Sequence, residues 1–168
     1  SPHAVTIPGA ISAWTKLNDD HGTKGMDELL APAIRYADNG FPIAHRVGTD
    51  WLGLVPKLMA DAVSSKVMTV GGKAPVIGST FRQPLLAATL RKIAKSGRDA
   101  FYLGEVAQDI VDRLVGLGGL HTPDDFAAAE AEYVEPIGTT YNGYQVHECP
   151  PNGQGICALM LMNIFARH

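Results

Sequence analysis

Apolar residues recur at steps of three and four along residues 8–130, which is the spacing that places them on one face of a helix. Ile11, Trp14 and Leu17 follow this pattern after Pro8, and a second run extends from Met26 to Asn39. Further helices are predicted at residues 43–63, 82–96 and 106–114, the first of them kinked or broken by Gly48, Gly53 and Pro56. Residues 66–81 are predicted to form a loop with short extended pieces.

One helix start is marked by its own local chemistry. Thr122 is a favourable N-cap, Pro123 suits the first helical position, and Asp124 and Asp125 follow where the helix dipole favours negative charge. Glycine is common just past the end of a helix, so Gly97 is predicted to end the helix over residues 82–96.

The hydrophobic period changes after residue 130. Residues 133–140 and 144–149 have the β-rich composition of strands, and Asn142-Gly143 lies between them. Because Asn-Gly between such runs is a strong hairpin signal, the sequence predicts a β-hairpin within residues 132–149.

The last segment is apolar on nearly every side. Residues 156–166 show no polar face, and a helix of this kind belongs inside a larger core. We therefore expect an α+β segment that is part of a larger domain: a helical region over residues 8–130, the hairpin at 132–149 and a core helix at 153–168.

Composition narrows the choice of partners. Hydrophobic residues make up 46% of the chain and charged residues 18%, with a formal net charge of −3. The low charge fits either a surface covered by other protein or a compact α/β domain. Basic residues are scattered rather than clustered, which argues against nucleic acid. No apolar run reaches the roughly 18 residues that a membrane span needs.

Two residue pairs are candidate nucleophile sites. Thr139-Thr140 lies within the predicted hairpin, and β-branched residues such as threonine are common in strands for structural reasons alone. Cys149 precedes the last helix and follows His147 by two positions, so a thiolate reaction remains an alternative. Cys149 and Cys157 are too few for a disulfide framework, and we expect both to be buried, unpaired thiols.

The acidic pairs and the histidines give weaker evidence for a catalytic or metal site. Asp124-Asp125 is explained by the helix start, and Asp19-Asp20 is expected in a solvated loop. The six histidines are widely spread without metal-binding spacing, so no metal is expected.

The Asn152-Gly153-Gln154-Gly155 loop is the candidate substrate-binding segment. Its glycines allow close approach of backbone N–H groups, and the following helix N-terminus favours anions. A tight strand-to-helix turn without a ligand is the structural alternative.

Five segments, in order and at similar spacing, resemble the large-subunit part of γ-glutamyltranspeptidases. These segments are Ile7-Pro8-Gly9-Ala10 with Trp14, Glu28–Ile34 with Asn39–Pro42, Gly97–Tyr102 with Gly104-Glu105, Gly118–Thr122 with Asp124-Asp125, and Tyr141–Tyr144 with Pro150-Pro151. The family often continues as Pro-Pro-Pro-Ser-Ser-Gly-Gly. The loop at residues 152–155 departs from that run and resembles a branch of the family, which leaves the preferred substrate open.

The resemblance implies an N-terminal-nucleophile hydrolase fold of two stacked sheets between helical layers. It also implies a precursor that cuts itself before a catalytic threonine, whose α-amine activates its hydroxyl to attack γ-glutamyl amides such as glutathione. That threonine, the oxyanion donors and the substrate-clamping arginine are expected outside this chain, so no catalytic residue is assigned within it. No cofactor is implied, and the expected partner is the remainder of the precursor, including its small subunit.

Alternatives stay open at this point. A non-catalytic helical binding module would use the apolar end helix to dock a partner, and a thiol hydrolase would use Cys149. A helix without a sheet partner also allows copies of the chain to associate. The first residues carry no signal-peptide pattern, which leaves the cytoplasm, the periplasm and secretion as alternatives.

Overall fold

The computed structural model describes residues 1–167 and divides the chain into two units, Ser1–Glu130 and Ala131–His168. The first unit is helical, with one pair of very short strands. Its elements are α1 (Ala10–His21), α2 (Met26–Asn39), β1 (Phe41–Pro42), α3 (His45–Met59), α4 (Ala62–Met68), β2 (Thr80–Phe81), α5 (Pro84–Tyr102), α6 (Glu105–Gly116) and α7 (Pro123–Ala127).

The predicted helices are confirmed, with two refinements. The stretch at residues 43–63 is broken, as expected, into α3 and α4, and Asp61 caps α4 by accepting a hydrogen bond from the Ser64 N–H. Helix α4 continues to Met68, so the predicted loop begins later than expected. The short extended pieces appear as β2, whose Phe81 pairs with Phe41 of β1 in an antiparallel bridge.

A buried hydrophobic cluster joins most helices of the first unit. Helix α2 packs along α5, and α1, α6 and α7 contact α5 as well. Every helix except α3 and α4 contributes to the cluster, which consists of Ile11, Leu30, Ile93, Tyr102, Ala107, Val111 and Phe126.

Helix α1 shows how loosely a three-residue spacing defines a face. Ile11 is buried, but Trp14 is 47% exposed and Leu17 is 54% exposed. Because each three-residue step falls about 60° short of a full turn, Leu17 lies roughly 120° around the helix from Ile11. The helix was predicted correctly, but the three residues do not share a buried face.

Tyr102 joins the end of α5 to the start of α1. Its ring is 1% exposed, and its hydroxyl donates to the Pro8 carbonyl and accepts from the Ser12 N–H at 3.2 Å. Arg98 lies over the ring at 5.0 Å and donates to the carbonyls of Ala127 and Ala129, at 2.7 and 2.8 Å. These contacts tie α1, α5 and the end of α7 together.

Gly97 interrupts α5 where the sequence predicted its end. Its backbone has φ 60° and ψ −141°, far from helical values, and helical geometry resumes on the far side. Only glycine enters this region without strain. The last turn of α5, which carries Arg98 and Tyr102, is therefore set apart from the helix before it.

The predicted start of α7 is confirmed in detail. Thr122 Oγ1 accepts from the Asp125 N–H, and the Asp125 carboxylate accepts from the Thr122 N–H at 2.8 Å, which forms a capping box. Hydrogen bonds from the Thr122 side chain and backbone hold the pKa of Asp125 below its ordinary value of 3.8.

The second unit contains the predicted hairpin. Strand β3 (Ile137–Tyr141) pairs antiparallel with β4 (Tyr144–Glu148), from Ile137 opposite Glu148 to Tyr141 opposite Tyr144. Asn142 and Gly143 form the turn with φ of 48° and 81°, the signs that a type I′ turn requires. Residues 133–136 were expected to be extended but are not part of the described strand. Pro136, which has no N–H to donate to a ladder, directly precedes β3.

Helix α8 (Gly155–Phe165) packs on this hairpin. The side-chain Oδ1 of Asn163 in this helix accepts a hydrogen bond from the Thr139 hydroxyl. Leu159 is buried, but five other large apolar side chains of α8 are at least one-third exposed: Ile156, Met160, Leu161, Ile164 and Phe165. None of the described helices has the length and apolar character to cross a membrane.

We expect Tyr102→Phe to lower the free energy of unfolding by roughly 1–3 kcal/mol, because it removes the buried hydroxyl that hydrogen-bonds to the Pro8 carbonyl and the Ser12 N–H. Urea unfolding of the chain measures this loss. The control is Tyr36→Phe, at an exposed position where the change should stay within about 0.5 kcal/mol. Equal losses in the two variants would contradict the structural role of the hydroxyl.

Asp125→Asn tests the capping box through its dependence on pH. Because the folded-state pKa of Asp125 lies below 3.8, its carboxylate stabilises the fold above that pH. The stability difference between wild type and variant should therefore be fully present at neutral pH and shrink as the pH falls below 3.8 through the lowered folded-state pKa. Unfolding series at several pH values measure it. Asp124→Asn, in the same helical turn, is the control, and an identical profile there would refute the explanation.

Candidate functional site

The segment that joins β4 to α8 is the candidate site. Cys149, Asn152, Gly153 and Gln154 are exposed, and Gly155 is the first residue of α8. Gln154 occupies the N-cap position, but its side chain makes no capping hydrogen bond, and its carbonyl accepts from the Cys157 N–H at 2.9 Å. The structure therefore presents the predicted loop on the surface of this unit, at the amino end of a helix.

Close packing at Gly155 shapes the loop. A Cβ atom at this position would lie 2.7 Å from Glu148 Cβ and 2.7 Å from Glu148 Oε2, far inside van der Waals contact. Gly153 differs, because a Cβ there would meet no atom within 4 Å. The absence of a side chain at residue 155 lets the end of β4 and the start of α8 lie against each other.

Thr139 and Thr140 are strand residues, as the structural interpretation expected. Thr139 donates to Asn163, and Thr140 Oγ1 accepts from Gln145 Nε2 at 2.7 Å. Both hydroxyls thus bind side chains of the same unit, and both residues lie within β3.

The expectation that the cysteines are buried is wrong. Cys149 and Cys157 are both exposed, and neither forms a disulfide. Cys149 follows the last residue of β4, and Cys157 lies in the first turn of α8. Cysteine is buried on average, but the packing of α8 on the hairpin leaves these two positions exposed.

The acidic pairs have structural explanations, one of which differs from the prediction. Asp19 and Asp20 lie in the last turns of α1 rather than in a loop, and Lys16 forms an i,i+4 ion pair with Asp20 at 3.3 Å. Asp125 belongs to the capping box. Neither arrangement brings two carboxylates to a reactive centre.

Asp61 is a capping residue that the sequence analysis missed. Hydrogen bonds from Ser64, and then the nearby Arg113 guanidinium, lower the pKa of this carboxyl below 3.8. An acidic residue directly before a short run of Ala, Val and Ser was the available signal.

His121 bonds to the N-terminal segment, which the sequence also did not reveal. Its Nε2 lies 2.7 Å from the Val5 carbonyl, so this nitrogen carries the proton. Its Nδ1 is sealed from solvent without a hydrogen-bond partner. The ring borders an open cleft of about 320 Å³ that His3 and Asp125 also line. Among residues 1–167, no three His, Cys, Asp or Glu side chains lie close enough together to hold a metal ion.

Comparison with known proteins identifies the family. The sequence profile described as Gamma-glutamyltranspeptidase matches residues 1–168. The chain is 37% identical over 165 residues to the Glutathione hydrolase-like YwrD proenzyme of Bacillus subtilis, covering 98% of this chain and 31% of that protein. It is 31% identical over 163 residues to the Glutathione hydrolase proenzyme of Escherichia coli, covering 96% of this chain and 28% of that protein.

Solved structures are also similar to this chain over its whole length. The γ-glutamyltranspeptidase of Helicobacter pylori superposes with a TM-score of 0.89 at 27% identity, over 100% of this chain and 49% of that one. A cephalosporin acylase from Bacillus halodurans gives a TM-score of 0.89 at 37% identity, over 100% of this chain and 33% of that one.

The matches confirm the expected fold class, a helix-rich α+β segment of the N-terminal-nucleophile hydrolase fold. The chain spans less than a third of the length of these two curated relatives. With a profile match over residues 1–168 and similarity to both relatives and solved structures, the chain belongs to the γ-glutamyltranspeptidase family.

Proposed function

We propose that the protein to which this chain belongs cleaves γ-glutamyl amides such as glutathione and transfers the γ-glutamyl group to water or to amino acids. The observation that carries the proposal is the family match along residues 1–168, together with curated relatives named as glutathione hydrolase proenzymes. This chain supplies a middle part of the large subunit: a helical region at 8–130, a hairpin at 132–149 and a core helix at 153–168.

The proposed chemistry depends on a threonine outside this chain. Self-cleavage of the precursor frees the threonine α-amine, which removes the proton from the threonine hydroxyl as that oxygen attacks the γ-glutamyl carbonyl. The amide bond breaks, the amine leaves with a proton, and an acyl-enzyme ester remains. Water or an amino acid then attacks the ester and releases the threonine. Oxyanion donors stabilise the negative charge that develops on the carbonyl oxygen in both steps.

Within this chain, we propose that the loop Asn152–Gly155 borders the γ-glutamyl group. Three features support this role: the exposure of the first three residues, the position of the loop at the amino end of α8, and the lack of a capping bond from Gln154. Apart from the Cys157 N–H, which donates to the Gln154 carbonyl, the backbone N–H groups in the first turn of α8 remain available to a bound molecule.

We further propose that the remainder of the same precursor, including the small subunit, covers the exposed apolar side chains of α8. Residues such as Met160, Ile164 and Phe165 are each more than half exposed in this unit. Apolar surface of this extent favours burial against another protein surface. The proenzyme names of the relatives fit a partner that comes from the same precursor.

The decisive experiment compares this 168-residue chain with its full-length parent in the release of 4-nitroaniline from its γ-glutamyl derivative. We expect activity only in the parent, after self-cleavage, because the nucleophile lies outside the chain. The Cys149→Ala parent should keep its activity. Activity in the short chain, or its loss in Cys149→Ala, would instead support the thiol hydrolase. A parent that neither cleaves itself nor hydrolyses the anilide would support the binding module.

Gly155→Ala in the full-length protein tests the loop. The added methyl group must displace Glu148, including its Cβ next to the backbone, so we expect a stability loss of roughly 1–3 kcal/mol and a lower kcat/KM. Thermal unfolding and the anilide assay measure the two effects.

Gly153→Ala is the matched control, because its methyl group meets no atom within 4 Å. It should leave stability nearly unchanged. If Gly155→Ala retained both full stability and full activity, close packing at residue 155 would not shape the loop.

A further inference from the structure

Asparagine followed by glycine occurs three times in the chain, at Asn39-Gly40, Asn142-Gly143 and Asn152-Gly153. Asparagine is chemically labile, and in this dipeptide the backbone nitrogen of the glycine can attack the side-chain amide carbon and close a five-membered succinimide ring. Glycine favours the reaction because it has no side chain to block the approach and leaves the backbone free to turn. The fold places the three copies of this dipeptide in different surroundings.

The first copy is held by hydrogen bonds at both ends of its peptide group. Asn39 is the last residue of α2, and the Gly40 N–H donates to the Tyr36 carbonyl at 3.0 Å. The Asn39 carbonyl accepts from Arg82 Nε at 3.0 Å. Attack by the Gly40 nitrogen requires this peptide group to turn, which breaks both bonds. The first copy is therefore protected, although Asn39 is exposed.

The second copy is held by the hairpin turn. Asn142 has a φ of 48° and Gly143 a φ of 81°, and the flanking residues Tyr141 and Tyr144 pair with each other across the two strands. Ring closure must rotate the peptide group between Asn142 and Gly143 out of the geometry that this two-residue turn requires. The paired strands therefore restrain the reaction at Asn142.

The third copy is free of such restraints. Asn152 and Gly153 are both exposed and lie between β4 and α8, outside either element. In the described chain, no hydrogen bond of normal geometry joins the Gly153 N–H or the Asn152 carbonyl to another backbone group. A Cβ at Gly153 would meet no atom within 4 Å, so there is open space beside this peptide group. It can turn toward the Asn152 side chain without loss of a strong backbone hydrogen bond.

We infer that Asn152 is a modification site, at which the chain deamidates ahead of its two other Asn-Gly pairs. The Gly153 nitrogen gives up its proton to hydroxide and bonds to the Asn152 side-chain carbon. The C–N bond of the side-chain amide then breaks, and its nitrogen takes up a proton and leaves as ammonia. Water opens the succinimide at either carbonyl, which gives aspartate or isoaspartate. The neutral residue 152 thereby becomes a carboxylate, with water as the only reactant consumed.

The test incubates the full-length protein, folded and in urea, at mildly alkaline pH, where the glycine nitrogen loses its proton more readily. A glutamate-specific protease cuts after Glu148, the last glutamate of this chain, and so separates Asn142 from Asn152. Mass spectrometry follows the mass gain of the NH₂-to-OH exchange in each peptide. We expect Asn152 to react first and Asn39 about tenfold more slowly, because a hydrogen-bonded peptide group must be freed before it reacts. In urea the three rates should converge.

Gly153→Ala is the matched variant, because its methyl group meets no atom of the fold but hinders attack by the nitrogen beside it. It should slow the reaction at Asn152 several-fold and leave the rate at Asn142 unchanged. Three results would each overturn the inference: equal rates at Asn39 and Asn152 in the folded protein, a faster reaction at Asn142, or an unchanged rate at Asn152 in the variant.

A consequence for activity rests on the proposed function, in which this loop borders the γ-glutamyl group. Isoaspartate adds a methylene group to the backbone of the loop, and either product adds a charge. The kcat/KM for the γ-glutamyl anilide should fall in step with the modified fraction, and it should fall more slowly in Gly153→Ala. A parent without activity would refute the proposed function, whereas the mass measurement would still decide whether Asn152 is modified.

Discussion

The contact between Glu148 and Gly155 is the constraint on which the candidate site depends. At the point where the end of β4 meets the start of α8, there is no room for side chains from both elements. The helix has none there, and Glu148 fills the space that a Cβ would need. The course of the connection between β4 and α8 depends on this packing.

The first unit depends on a different kind of contact, in which one side chain satisfies several backbone groups. Tyr102 binds backbone groups of Pro8 and Ser12, and Arg98 binds the carbonyls of Ala127 and Ala129 while lying over the Tyr102 ring. Both residues come from the short last turn of α5. Buried backbone groups need partners, so two polar side chains here organise chain segments that are far apart in sequence.

Local signals predicted local structure well. The capping box at Thr122 and the Asn142-Gly143 turn are encoded within four residues or fewer, and the structure shows both. The pairing of strands that lie far apart in the sequence was not predictable from local signals. The bridge between Phe41 and Phe81 joins strands of two residues each, which are too short to show a period.

The loop between β4 and α8 was predicted from the sequence, but the packing around it was not. Sequence spacing located the loop at residues 152–155, and the following helix suggested an anion. The packing of Glu148 against Gly155 depends on how the end of β4 lies against α8, which no local pattern encodes. The average burial of cysteine also gave a wrong prediction for Cys149 and Cys157. The burial of a thiol depends on which neighbouring elements cover it.

Gly97 has a consequence for which substitutions this chain tolerates during evolution. The nearest atom to a Cβ at this position would be the Thr15 methyl carbon at 4.0 Å, so there is room for a side chain. The backbone angles nevertheless penalise every residue with a Cβ. Selection should therefore retain glycine at a place that looks permissive by available space alone, and a survey of random variants would find it among the least replaceable positions.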